Sequence, residues 1–285
     1  MIELIEKGIM PKEAEWIGFI ESLKKKTMLS DRQALKNALV KAIKKRIPGK
    51  KFGILFSGGI DSSLIALICS QAKADFICYS VGLEGSEDII KAGEAAVLLE
   101  LSLKKKVFSE KEALELFKET KALLPVKDSL SVGVGSVSLA SMKLGMKDGI
   151  NAFFTGLGSE EIFAGYERHA KAKDLQEECW KGLKSMHSRD FLRDYSIAKS
   201  LNAGLLIPFL DSELIVQAMG IPAEQKINEH QKKIVLRELA VELGLPEEIA
   251  WRKKRAAQYG SRFDWLLGKL ARKKKQSKTE FIKGL

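Results

Sequence analysis

"LFSGGIDSSLIAL", residues 55–67, gathers two glycines and three hydroxyls around one aspartate, directly behind the apolar run "FGILF" at 52–56. A chain that stops packing to collect small polar groups is making either a plain strand-to-helix turn or a cradle for an anion. Gly58 and Gly59 let the backbone approach a ligand closely, because no Cβ stands in the way. Ser62 and Ser63 then open a helix whose N-terminal amides and dipole favour negative charge. The spacing and lysine of a Walker A loop are missing. A carboxylate inside a phosphate cradle needs a reason to be there, and a bridging cation supplies one, which makes Asp61 the candidate Mg2+ ligand.

The flanking sequence alternates. Strands are expected at 52–56, "FICYSVG" (76–82), "KKVF" (105–108) and "GINAFFTG" (149–156). Helices are expected at 62–72, at 87–100 capped by Ser86, at 109–124 opened by a Ser109/Glu112 capping box, and at 136–147. The stretch 125–135, "PVKDSLSVGVG", reads as a loop. Residues 11–47 read as helical, with Ser30-Asp31 capping a second helix that Pro48-Gly49 ends. This order predicts an α/β fold, a doubly wound parallel sheet followed by a mostly helical C-terminal half. Ligands in such folds bind at the carboxyl ends of strands near a topological switch point. Two glycine-rich stretches, 57–63 and 155–160, each follow an apolar strand and so fall where a site belongs. Beyond residue 160 no further strand is expected, and the polar, basic last dozen residues are expected to be disordered. The chain divides into a helical extension (1–48), an ATP-binding α/β region (49–170), a helical region completing the unit (171–270) and a basic tail (271–285).

The composition excludes several classes. With 285 residues, 45% hydrophobic and 30% charged, the chain can bury a real core. No stretch approaches the roughly 18 apolar residues of a membrane span. The opening "MIELIEKGIMPKEAEW" lacks a secretory h-region, so a cytoplasmic protein without membrane association is expected. Cys69, Cys78 and Cys179 form no CxxC pair, and His169, His187 and His230 are scattered, so neither zinc nor an iron–sulfur cluster is expected. The formal net charge of +11 favours polyanions such as nucleotides or RNA. Most basic runs also read as solvated helix faces, and the aromatic residues do not interleave with them.

Six stretches carry a resemblance. Ser57-Gly58-Gly59-Ile60-Asp61-Ser62-Ser63 resembles the PP-loop of the ATP pyrophosphatases, and "FTGLGSEEIFAGYERH" (154–169) resembles the signature of the asparagine synthetase C-terminal domain family within that superfamily. "YSVGLEGSEDIIKAGEAA" (79–96), "LLIPFLDSELIVQAMGIPAEQKI" (205–227), and the pair "KKIVLRELA" (232–240) and "WRKKRAAQYG" (251–260) resemble later parts of the family pattern, in the same order. The likeness runs from about residue 35 to about residue 265. It implies an ATP-dependent, AMP-forming ligase that adenylates a carboxylate such as aspartate and forms an amide with an amine.

By this resemblance Ser57, Gly58, Gly59, Ser62 and Ser63 hold pyrophosphate, and Val81, Thr155 and Gly156 lie against the adenosine. Asp61 and Glu160 coordinate Mg2+, with Glu160 standing where the family has Asp, and Lys254 stabilises the charge of the transition state and of departing pyrophosphate. Lys233 is a further basic candidate at the nucleotide, its other reading being an exposed helix lysine. Two departures shape the expectation. Residue 2 is Ile, and only about fifty residues precede the PP-loop, so no glutaminase domain is expected and nitrogen would come from ammonia, a separate glutaminase or an amine substrate. Leu157 stands where asparagine synthetases carry an acid, and leucine cannot accept a proton. The alternatives are a PP-loop enzyme that modifies tRNA or another nucleic acid, and a nucleotide-binding subunit without catalysis of its own.

Overall fold

The computed structural model describes residues 1–253 and 256–285. Three helices come first: α1 (Ile2–Glu6), α2 (Glu13–Lys26) and α3 (Arg32–Lys44), the last capped by the Asp31 side chain accepting from the Ala34 amide at 2.8 Å. Then strands and helices alternate: β1 (Phe52–Leu55), α4 (Ile60–Gln71), β2 (Phe76–Leu83), α5 (Glu87–Leu98), β3 (Leu103–Phe108), α6 (Glu110–Leu123), α7 (Ser129–Met146) and β4 (Ala152–Phe154). The remainder is α8 (Ser159–Ile162), α9 (Glu167–Ala170), α10 (Leu175–Met186), a π-turn (His187–Phe191), α11 (Leu192–Ser200), β5 (Gly204–Leu206), α12 (Ser212–Gly220), α13 (Ile234–Glu242), α14 (Glu247–Ala250), α15 (Ala257–Gly260), α16 (Phe263–Lys273) and α17 (Lys278–Lys283).

The five strands form one parallel sheet in the order β3-β2-β1-β4-β5. The expected doubly wound architecture is therefore present. Phe52 pairs with Phe76 on one side of β1, and Gly53 with Phe153 on the other. One sheet face carries Phe52, Phe76 and Phe154, whose rings lie 5.6 Å and 5.3 Å from Phe52, and α4 backs it with α3 outside. The opposite face presents Tyr79 and Phe153, edge to ring at 6.3 Å, beneath α7. Winding outward from β1 to β3 and then restarting at β4 makes the β1/β4 border the switch point.

Local signals explain most elements. The Ser86 hydroxyl accepts from the Ile89 amide, and Ser109 and Glu112 form the expected reciprocal capping box. Three expectations need correction. Residues from Ser129 onward are helical rather than loop, started by Asp128 accepting from the Ser131 amide at 2.7 Å. Serine and glycine are poor helix formers, but α7 is buried among α6, α11, α16 and the sheet, and packing overrides propensity. A fifth strand follows residue 160: β5 is three residues long at the sheet edge, too short to show a period. The last dozen residues include a capped helix, α17, which buries Phe281 and Ile282.

One apolar cluster runs from Ile2 to Ile282. The N-terminal helices belong to it: Trp16 is 0% exposed, donates its indole N–H to the Leu183 carbonyl at 2.8 Å and meets Phe191 edge-on at 4.7 Å. Among the described residues, no helix is long and apolar enough to cross a membrane.

Candidate active site

The turn after β1 and the turn after β4 face each other across the switch point. In the first, Gly58 has φ +64°, and a Cβ there would strike the backbone of Lys91 and Ala92 on α5. Only glycine fits, so the sequence dictates this turn locally. The hydroxyls of Ser57 and Ser62 lie 3.4 Å apart, and Ser62 Oγ donates to the Gly59 carbonyl at 3.2 Å. Gly59 is the N-cap of α4, so the free amides of that twelve-residue helix open toward the turn. Ser63 is fully buried, and its hydroxyl has no partner among the described residues.

Asp61, on the first turn of α4, projects toward the second cradle. The Ser159 hydroxyl donates to Asp61 Oδ1 at 2.5 Å, and Gly156 brings its backbone so close that an added Cβ would lie 3.0 Å from Asp61 Cβ. Lys233 Nζ donates to the two Asp61 carboxylate oxygens at 2.8 and 2.9 Å and sits 2.9 Å from Glu160 Oε1. Lys233 is 4% exposed and precedes α13 in a left-handed conformation, φ +59°. Burial acts to lower its proton affinity, but the facing carboxylates of Asp61 and Glu160 outweigh that and hold the ammonium above the usual lysine range. The exposed-lysine reading of Lys233 is thus set aside by its burial.

The structure brings Asp61, Glu160 and Lys233 together, with Ser57, Gly58, Gly59, Ser62 and Ser63 around the start of α4. Val81 is buried at the carboxyl end of β2, and Thr155 closes β4, its amide bonded to the Leu206 carbonyl. Lys254 lies outside the described residues. Leu157 is half-buried and packs against the core.

Sequence reading missed four contributors. Ser159 and Arg252 stood inside quoted stretches without a role; the Arg252 guanidinium donates to the Gly58 carbonyl. Arg237 likewise stood inside the stretch 232–240 without a role, and Arg189 had no signal beyond its charge. Glu161, next to Glu160, is turned inward and 1% exposed; burial first, then repulsion from Asp190, pushes its carboxyl up to about 7 against the pull of Arg189. Arg189 and Asp190 come from the π-turn, a distortion common at functional sites, and Arg189 contacts Glu161 at 2.5 Å and Asp190 at 2.6 Å. The Tyr166 ring lies under two cations, Arg168 at 4.1 Å and Arg189 at 5.5 Å.

The donor set suits a hard cation: two carboxylates from opposite cradles converge on one positive charge, with a hydroxyl beside them. Among the described residues no cluster of three or more metal-ligating side chains occurs. Two carboxylates completed by substrate phosphates is the arrangement Mg2+ favours, so the residues present fit that ion as part of a metal–nucleotide complex.

A parallel sheet with a glycine cradle, a helix N-terminus and paired acids at its switch point defines a doubly wound α/β protein. The asparagine synthase profile matches residues 34–181 and 169–280, and the chain belongs to that family. It is 33% identical over 291 residues to a glutamine-hydrolysing asparagine synthetase of Methanocaldococcus jannaschii, covering 88% of this chain and 53% of that one. It is 28% identical over 262 residues to the glutamine-hydrolysing asparagine synthetase B of Escherichia coli, covering 85% and 47%. The chain thus spans about half the length of these curated relatives. The solved structure of NMN synthetase from Francisella tularensis is similar over 88% of this chain and 91% of its own, with 13% identity and a TM-score of 0.47.

Proposed function

We propose that this protein is an ATP-dependent, AMP-forming carbon–nitrogen ligase of the asparagine synthetase type. The observation that carries the reading is the meeting of Asp61 and Glu160, one from each cradle, on Lys233 at the head of α4. A carboxylate oxygen of the acceptor attacks the α-phosphorus of ATP, and pyrophosphate leaves. An amine nitrogen then attacks the acyl carbon, AMP leaves, and one proton is released. The amides of residues 58–60 and the hydroxyls of Ser57, Ser62 and Ser63 hold the β- and γ-phosphates, while Thr155, Gly156 and Val81 border the adenosine. Asp61 and Glu160 are the residues that would hold Mg2+, which neutralises phosphate charge when bound. Lys233, and Lys254 by its motif, supply positive charge where charge grows on the leaving group.

Aspartate is the acceptor and ammonia the nitrogen donor in the specific form of this reading, with a separate glutaminase as the alternative ammonia source. Leu157 offers no basic atom, so any base for the attacking nitrogen has to come from another group. The test is to incubate the purified chain with Mg-ATP and separate the nucleotides, with aspartate plus ammonia, then other amino acids, then bulk tRNA. AMP and pyrophosphate in equal amounts, dependent on aspartate and ammonia, is the expected result. AMP formed only with tRNA would replace the reading by nucleic-acid modification, and no AMP with any acceptor would remove it.

A further inference from the structure

Arg237 lies on the first turn of α13, four residues after Lys233, and is 8% exposed. Its Nε donates to the Lys232 carbonyl at 2.7 Å, and its Nη1 donates to the carbonyls of Ala250 and Arg252, the latter at 3.2 Å. The first bond grips the residue just before Lys233, whose left-handed backbone is costly for a residue with a Cβ. The other two grip the end of α14 and the second residue beyond it. That residue, Arg252, in turn donates its own guanidinium to the Gly58 carbonyl. One buried side chain therefore ties the turn that presents Lys233 to the segment that touches the glycine cradle. Sequence adds a further link: residues 250–252 run directly into Lys253 and Lys254. Helix α13 does not need this arrangement to begin, because the Arg237 amide already bonds to the Lys233 carbonyl at 3.0 Å. Burial, the larger effect, lowers the proton affinity of Arg237, and Asp61 and Glu160 oppose it, so the guanidinium stands in the field of the same two acids as Lys233.

We infer that Arg237 is a positioning residue for the adenylation step: its forked donors lock the Lys233 turn and the 250–252 segment into one fixed relation to the glycine cradle, so that both basic elements meet the departing pyrophosphate as a unit. This assignment rests on the reading of the cradle given above. The physical reason is that electrostatic stabilisation depends on charges placed in advance, and a misplacement of about 1 Å can cost about 100-fold in rate. A planar guanidinium can serve carbonyls on two sides at once; an ammonium on a flexible stem cannot hold the same fork.

The test uses Arg237→Lys and Arg237→Ala in the full chain, with AMP formation, ATP affinity and hydrogen exchange as readouts. Arg237→Lys should stay folded, bind ATP within about threefold of the wild type, and turn over about 100-fold more slowly. Arg237→Ala, where it folds, should regain about tenfold with added methylguanidinium, a rescue that Lys233→Met does not show. The amides of Ile234, Ala250 and Trp251 should lose protection together in Arg237→Lys. Wild-type turnover in Arg237→Lys, or loss of ATP binding in step with turnover and without rescue, would overturn the assignment. If the wild type forms no AMP with any acceptor, the adenylation reading fails by itself. Exchange at the two segments then still decides whether Arg237 couples them: joint loss supports the brace and independent behaviour removes it.

Discussion

Lys233 Nζ lies 2.8 and 2.9 Å from the two carboxylate oxygens of Asp61, although 172 residues separate them in the chain. Both partners are buried, so removing the Lys233 ammonium takes the shared cation away from Asp61 and Glu160, at a cost of about 3–5 kcal/mol. Lys233→Met should lower the unfolding midpoint and reduce AMP formation by about 100-fold or more. The double variant Asp61→Asn/Lys233→Met should recover much of the stability and none of the activity. Denaturant titration beside an AMP assay checks both, and a double variant no more stable than Lys233→Met would show that the pair is not coupled.

Gly58 makes a sharper backbone prediction. Its φ is +64°, and a Cβ would fall 2.7 Å from the Lys91 carbonyl carbon and 2.9 Å from Ala92 Cα. Gly149 has φ +76° with nothing within 4 Å of the added atom. Gly149→Ala should therefore cost about 1–2 kcal/mol from backbone strain alone and leave ATP affinity unchanged. Gly58→Ala should cost more and weaken ATP binding at least about tenfold, because the cradle must move away from α5. Calorimetric titration with ATP separates the two, and equal effects would refute the role of the close approach.

Glu161 gives the pH dependence. In the folded chain its carboxyl is pushed up to about 7, mainly by burial, from an ordinary value of 4.5. Between those values the folded state keeps a proton that the unfolded state has lost, so this group's contribution to stability falls as pH rises through that window and levels off above it. Glu161→Gln removes the effect. The loss of melting temperature between pH 5 and pH 8 should shrink by roughly 4 °C or more relative to the wild type. An unchanged difference would mean that Arg189 keeps Glu161 ionised throughout.

Both chain ends are structural. Trp16→Ala removes a fully buried ring and its bond to Leu183 and should destabilise the protein by about 3–5 kcal/mol. Truncation after Lys275 deletes α17 and uncovers the cluster that Phe281 and Ile282 fill; urea unfolding should show a midpoint well below that of the full chain. A truncated chain as stable as the full one would mean that α17 docks without holding anything together.

What the sequence by itself determined is what depends on short range. The Ser109/Glu112 box, the Asp31 cap and the strand–turn–helix around Gly58 and Gly59 follow from the residues at hand, because a cap needs only its neighbours and a positive φ needs only the missing Cβ. The strand–helix alternation carried the parallel sheet, since each βα unit advertises its own period, and the two cradles were legible because each follows a strand.

What only the tertiary structure decided depends on distant partners. The serine- and glycine-rich start of α7 is helical because neighbours bury it on several sides, and β5 exists because β4 offers an edge to pair with. Sequence left Lys233 between a basic residue at the nucleotide and an exposed helix lysine. Its burial between Asp61 and Glu160, and the reach of Arg237 to three carbonyls, arise when α13 folds back against the head of α4, bringing together charges that no local pattern links.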